Sequence, residues 1–417
     1  MIVGGKIMNK KMGILPIVVS LGLMASVAFA EDTFKFAVID PGSGGAAVVT
    51  ERILEVLNFS VEKLNAEGGL NGVPVEVITF DNQMSPKETA IQAQKAIDAG
   101  ARILQTSVSS SNTFALIDFV RKYNRRNPDN KVIVFDGASH DPATSGSKCS
   151  YNSFSWVLNA NMKTKGLAEF FKSQTDIKKV YNLNAEGSSG QTTRKNILNM
   201  IGETRPDIEF VGDETHPLQK ITDFAPYIAK IRASGADAVT TSDWGGDLAL
   251  LLKAAGEANL DVKWFTYFST GPGSAAAIKQ TGLDGLVYSV FDGDAGIDNA
   301  DLKAFEGEFR TINVHSASAF PGDTSAIRAL ASAAKQAGSN DFDALIVALE
   351  NQKFKTVYGA DAYMRADDHQ IITQMVISSF GPTDGLDEDG TGWGWHTQAV
   401  IPADKITFES TCEMKRP

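Results

Sequence analysis

The sequence has 417 residues, a formal net charge of −11 and a hydrophobic content of 43%. That length exceeds one comfortable core and points to two lobes. The acidic balance disfavours nucleic acid and anionic membrane surfaces as partners, and no apolar run after residue 30 is long enough to span a bilayer.

The chain opens with Lys6, Lys10 and Lys11, followed by an apolar run from Gly13 to Phe29 that ends in Ala28-Phe29-Ala30. A positive leader, a short apolar stretch and a small-x-small ending predict a cleaved signal peptide over residues 1–30. The alternative, a membrane anchor, is weakened by Pro16 and by the shortness of the run. Without the three leader lysines the net charge becomes more negative still. An exported chain with two cysteines, Cys149 and Cys412, reads as one disulfide.

From Phe34 onward, short β-rich runs alternate with segments whose apolar residues recur every three or four positions. Strands are predicted at Phe34–Ile39, Val73–Phe80, Arg102–Thr106 and Lys131–Phe135. The rhythm resumes at Lys178–Leu183, Ile208–Val211, Ala236–Thr241, Val262–Tyr267 and Gly285–Val290. Helices are predicted after Gly45, over residues 86–99, and at 301–312, 323–337 and 342–350. A strand over Ile371–Phe380 precedes a turn-rich segment, Asp384–Trp395. This alternation predicts an α/β protein with parallel sheets flanked by helices. No linker rich in Pro, Gly or Ser divides it.

Gly42-x-Gly44-x-x-Ala47, between a strand and a helix, matches a dinucleotide fingerprint. No acidic residue is expected at the end of the next strand to hold a ribose, and an exported protein has little access to nicotinamide. The glycines are therefore read as a cleft turn, and no cofactor is expected. Gly187-Ser188-Ser189-Gly190 is not a nucleophile elbow, and Ser139-His140-Asp141 are adjacent rather than convergent. The five histidines show no metal-ligand spacing, so neither catalysis nor a metal is expected.

The informative signals are small polar residues at the carboxyl ends of strands, where open α/β sheets bind ligands. Ser109 and Ser110 precede a helical run and suit a ligand carboxylate; a plain helix cap is the bland alternative. Gly137, Ala138 and Ser139 follow the next strand. In the second half Glu186, Gly187 and Ser188 leave one strand, while Trp244 and Asp247 follow another. The indole could hold an apolar ligand body and the carboxylates an ammonium. Interlobe packing for Trp244 and helix N-terminal acidity for Asp247 are the alternatives.

This order of motifs resembles the type I periplasmic binding proteins, in particular the branched-chain amino-acid binding proteins of ABC transporters. Phe36-Ala37-Val38-Ile39-Asp40-Pro41 looks like their first strand and cleft loop. Asn65-Ala66-Glu67-Gly68-Gly69-Leu70-Asn71-Gly72 is similar to their glycine turn, and Ser109-Ser110-Ser111 and Gly137-Ala138-Ser139 match the segments that hold the ligand carboxylate. The tail ending Cys412-Glu413-Met414-Lys415-Arg416-Pro417 resembles that of a subset whose last cysteine pairs back to the first lobe.

The resemblance implies two Rossmann-like lobes joined by a three-crossing hinge. Residues 31–157 and 288–357 would form the first lobe, 158–287 and 358–400 the second, and 401–417 a returning tail. It implies a monomeric periplasmic receptor that presents a hydrophobic amino acid to an inner-membrane permease, with Tyr267 among the cleft residues. Two departures are noted: Gly187 stands where an aromatic residue is common, and Tyr267-Phe268-Ser269 lacks an acidic residue for the ammonium. Both leave room for an aromatic or aliphatic carboxylate instead. A periplasmic enzyme or a sensory module on the same fold are the remaining readings.

Overall fold

The computed structural model describes Met1, residues 33–137 and residues 139–416. The expected signal peptide lies outside the described residues. Two parallel sheets dominate the rest. The first has the order β2-β1-β3-β4-β5, built from β1 (Phe34–Asp40), β2 (Val75–Asp81), β3 (Ala101–Thr106), β4 (Ile133–Asp136) and β5 (Ser153–Ser155). Val38, Ile103 and Phe135 on one face and Ile39, Leu104 and Val134 on the other are all buried. Strands covered on both faces need near-continuous apolar runs, which is why these segments stand out in the sequence.

The second sheet has the order β15-β14-β10-β9-β8-β6-β7. It comprises β6 (Lys179–Ala185), β7 (Glu209–His216), β8 (Ala238–Thr241), β9 (Lys263–Thr266), β10 (Val287–Phe291), β14 (Met375–Pro382) and β15 (Trp393–Ile401). The last two strands run antiparallel to their neighbours. A small antiparallel sheet of β11 (Lys353–Lys355), β12 (Asp361–Met364) and β13 (Ile371–Ile372) lies between β10 and β14 in sequence.

The chain passes between the sheets three times, and hydrogen bonds tie the crossings together. Asp292 accepts from the Leu158 amide at 2.9 Å, and the Gln370 side-chain amide donates to the Val157 carbonyl at 2.7 Å. Two expected boundaries are corrected. β10 is bonded within the second sheet, so the second crossing follows Phe291 rather than residue 288. Ala362, Met364 and Ile371 pack in the first-lobe core, so the third crossing follows β13 rather than residue 357. Apolar contact, not chain position, sets these limits. The predicted strand 371–380 is broken at Thr373, and β15 replaces part of a segment read as turns, because its glycine and polar residues hide the pattern of an edge strand.

Cys149 and Cys412 form a disulfide across a sequence separation of 263. On the way back the tail crosses both units: the Lys165 ammonium donates to the Thr407 carbonyl at 2.8 Å, and Arg416 pairs with Glu350 at 2.7 Å.

Candidate functional site

In each large sheet the strand order reverses once, between β1 and β3 and between β6 and β8. Loops leaving the strands on either side of such a point diverge and open a crevice. Both crevices contribute to one cleft of about 1060 Å³, counting the space open at its mouth. The first lobe supplies Ser107 to Ser111, His140 and Phe320. The second supplies Glu186 to Gly190, Ser242, Trp244, Phe268 and Phe291.

Three helix N-termini meet there: Ser110–Arg126, Ser188–Asn196 and Gly245–Glu257. None has a side-chain cap at its N-cap residue, Ser109, Gly187 or Trp244. Helix starts leave backbone N–H groups unsatisfied and carry partial positive charge, so an uncapped start facing a cleft favours an anion. The hydroxyls of Ser109, Ser110 and Ser111 make no hydrogen bond among the described residues, which removes the plain-cap explanation. Ser109 also holds a φ of +75°, an uncommon backbone for a residue with a side chain. Gly187, at φ +125° and ψ 172°, occupies a conformation open essentially to glycine alone. A Cβ there would touch only Leu218 at 3.9 Å, so backbone conformation rather than crowding requires the glycine.

Of the residues singled out from sequence, Ser109, Ser110, Glu186, Gly187, Ser188 and Trp244 line this cleft. Trp244 also packs against the first-lobe core, so it spans the lobes. The Ser188 hydroxyl donates to Asp141 of the facing lobe. Of the remaining candidates, Gly137, Ser139, Asp247 and Tyr267 do not line it. Gly137 lies under the serine loop, where a Cβ would come within 2.3 Å of Ser107 Oγ and 2.6 Å of Asp323 Oδ1. Its glycine serves close packing. Ser139 is 2% exposed, with its amide held by Asp136 at 2.7 Å. Ala138 lies outside the described residues.

Asp247 is buried, and its carboxylate accepts from the Gln219 amide at 2.7 Å. Burial raises its pKa, and its role is to fix the neighbouring loop. Tyr267 is buried in the second-lobe core with its hydroxyl 3.0 Å from that of Thr164. Side chains alternate at a strand end, so Phe268 faces the cleft in its place. The acid at the end of β2 that sequence reading did not expect is Asp81, which accepts from the Gly42 amide and the Ser43 hydroxyl at 2.8 Å each. It braces the glycine turn.

Sequence reasoning missed the aromatic wall. His140 packs edge-on against Phe268 with centroids 4.3 Å apart, and Phe291 lies 6.1 Å from His140. Behind it, Lys163 is fully buried, 3.6 Å from the Phe291 centroid and 3.2 Å from Asp292. Burial, and then the Lys163 charge, push the His140 pKa well down, so its imidazole is neutral. Phe268 could have been found from the alternation beside Tyr267; His140 carries no local signal.

Two α/β lobes tied at a hinge, with a ligand-sized cleft of uncapped helix starts and an apolar wall, define a solute-binding protein. A family model described as periplasmic binding protein matches residues 33–384, and the chain belongs to that family. Its members are solute-binding proteins, not enzymes, and work with ABC transporter permeases. The chain is 29% identical over 406 residues to the Leu/Ile/Val-binding protein homolog 4 of Brucella melitensis, covering 95% of this chain and 96% of the relative. It is similar to the leucine-, isoleucine-, valine-, threonine- and alanine-binding protein from Brucella ovis in its closed conformation. That match has a TM-score of 0.82 at 27% identity, over 93% of this chain and 100% of the other. A Rhodopseudomonas palustris solute-binding protein in complex with benzoate shares the fold at 19% identity, with a TM-score of 0.77 over 92% of this chain and 100% of the other.

Proposed function

We propose that this chain is exported through a signal peptide cleaved after Ala30 and acts in the periplasm as a monomeric receptor. In this reading it captures a hydrophobic amino acid between its lobes and hands it to an inner-membrane permease. The observation that carries the reading is the convergence of three uncapped helix starts and three free serine hydroxyls on one apolar-walled cleft. The carboxylate would sit at Ser109 and Ser110, the side chain against Phe268 and Phe291, and the ammonium near Glu186. The amino-acid names of the relatives support this choice.

A second reading has its own support. Asp247 is committed to a backbone amide, and Glu186 at the exposed mouth is the one remaining carboxylate among the described lining residues. A buried ammonium without a partner is costly, so this lining also suits an aromatic or aliphatic acid that has no amine. Thermal-shift screening against leucine, isoleucine, valine and benzoate separates the two, since a ligand at about 100 times its Kd adds roughly 2.7 kcal/mol. Stabilisation by benzoate alone, with Glu186→Gln silent, would remove the amino-acid reading. No stabilisation by any small acid would remove both.

A further inference from the structure

Three carboxyl groups lie beneath the cleft loops of the first lobe. Asp40 ends β1, Asp136 ends β4, and Asp323 stands in the first turn of the helix Pro321–Ala337; none is more than 1% exposed. Asp40 accepts from the Thr106 hydroxyl at 2.9 Å and from the Ser107 and Val108 amides at 3.0 Å each. Asp136 accepts from the Ser139 amide at 2.7 Å and the Ser155 hydroxyl at 3.0 Å. Asp323 accepts from the Gln105 side-chain amide at 2.5 Å and the Ser107 hydroxyl at 3.3 Å, while its second oxygen is buried with no partner among the described residues. Residues 105–108, which lead into the serine loop, and Ser139 therefore hang from these acids.

Among the described residues, no lysine, arginine or histidine acts on the cluster. The groups facing each acid are the other acids and the neutral Gln105, Thr106, Ser107, Thr144 and Ser155. Three adjacent buried negative charges without a cation cannot all be sustained, because desolvation and mutual repulsion both favour the protonated form. Burial first, opposed by the hydrogen bonds each accepts, raises Asp40 to about 6, Asp136 to about 7 and Asp323 to about 8. Asp323 has no backbone donor and feels both neighbours, so it is the last to ionise. The helix dipole at its position favours the charged form, but is outweighed.

We propose that Asp40, Asp136 and Asp323 are positioning residues that hold the two cleft loops in place and make affinity for a carboxylate ligand depend on Asp323 remaining protonated. This rests on the reading that the first-lobe loops receive a carboxylate. Full ionisation would set negative charge directly behind those loops and loosen them by repulsion. Affinity is then highest on the acidic side and falls as Asp323 loses its proton.

Infrared difference spectroscopy of the ligand-free protein, titrated between about pH 5 and about pH 9, tests the protonation of the cluster without a ligand. The expected result is an un-ionised carboxyl component that disappears near about pH 8 and is lost selectively in Asp323→Asn, against the absorption of other buried carboxyls such as Asp136 and Glu388 that both proteins share. Wild-type protein with no carboxyl component titrating between about pH 7 and about pH 9 overturns the proposal, whether or not the variant folds. Calorimetry with leucine and with benzoate then reads the positioning. Whichever binds should weaken by about tenfold or more from pH 6 to pH 9 in wild type and by under about threefold in Asp323→Asn. A flat wild-type profile with a bound ligand overturns the positioning role. A carboxyl band with neither acid binding would refute the carboxylate reading of the cleft and leave the protonated cluster standing.

Discussion

Replacing Lys163 by methionine isolates the buried ion pair at the hinge. Its ammonium is fully buried 3.2 Å from Asp292, whose other oxygen holds the Leu158 amide at 2.9 Å. Methionine keeps the volume and the contact with Phe291 but leaves Asp292 without its cation in a dry site, where it must remain an unpaired charge or be protonated at a cost. Removing one partner of a buried pair costs about 3–5 kcal/mol, whereas replacing both by neutral groups is often nearly neutral. Urea denaturation should therefore show Lys163→Met less stable by about that amount, and the double variant Lys163→Met with Asp292→Asn should recover most of it. Because Phe291 and Phe268 lie between this pair and the cleft, the single variant should also weaken ligand binding. A loss below about 1 kcal/mol, or a double variant no better than the single one, would refute the argument that the pair is needed because Asp292 is charged and buried.

Alanine at Ser109 and Ser110 should each reduce affinity by about 1–3 kcal/mol if the hydroxyls donate to a charged group; calorimetry with intact thermal unfolding reads this directly. Gly187→Ala introduces a Cβ with room but no permitted backbone, so it should cost about 1–3 kcal/mol in thermal stability, and a neutral outcome would mean the loop can re-form. Breaking Cys149–Cys412 releases a loop of 263 residues and should cost up to about 5 kcal/mol in denaturant unfolding. For the acid cluster, folding favours the protonated forms. Its stabilising contribution is full below the ordinary carboxylate range and is lost as pH rises through about 6 to about 8. The urea midpoint of ligand-free wild type should fall over that window, and that of Asp323→Asn should fall less.

The sheets were legible because strands buried on both faces must be apolar almost throughout, and the helices because one face repeats at the helical period. The serine and glycine loops were legible for a related reason: small polar residues at strand ends have few purposes except turns, caps and ligands. The cysteine pairing followed from there being two. Pattern reading failed where side-chain direction decides the outcome. Tyr267 and Phe268 are neighbours, and one residue of alternation sends the tyrosine into the core and the phenylalanine into the cleft. Asp247 and Glu186 look alike as loop acids, yet one is spent on the Gln219 amide. Gly137 reads as a cleft glycine but sits among Ser107, Gln105 and Asp323.

Contacts from distant parts of the chain were beyond local reading altogether. His140, Phe268 and Phe291 become one wall, Lys163 meets Asp292, and Asp40, Asp136 and Asp323 gather under the first-lobe loops. Sequence alone determined the layered α/β architecture, because hydrophobic burial writes a periodic signal within each element. Only the tertiary structure decided which polar groups face the ligand and which face one another, because that depends on the directions of side chains brought together from different strands.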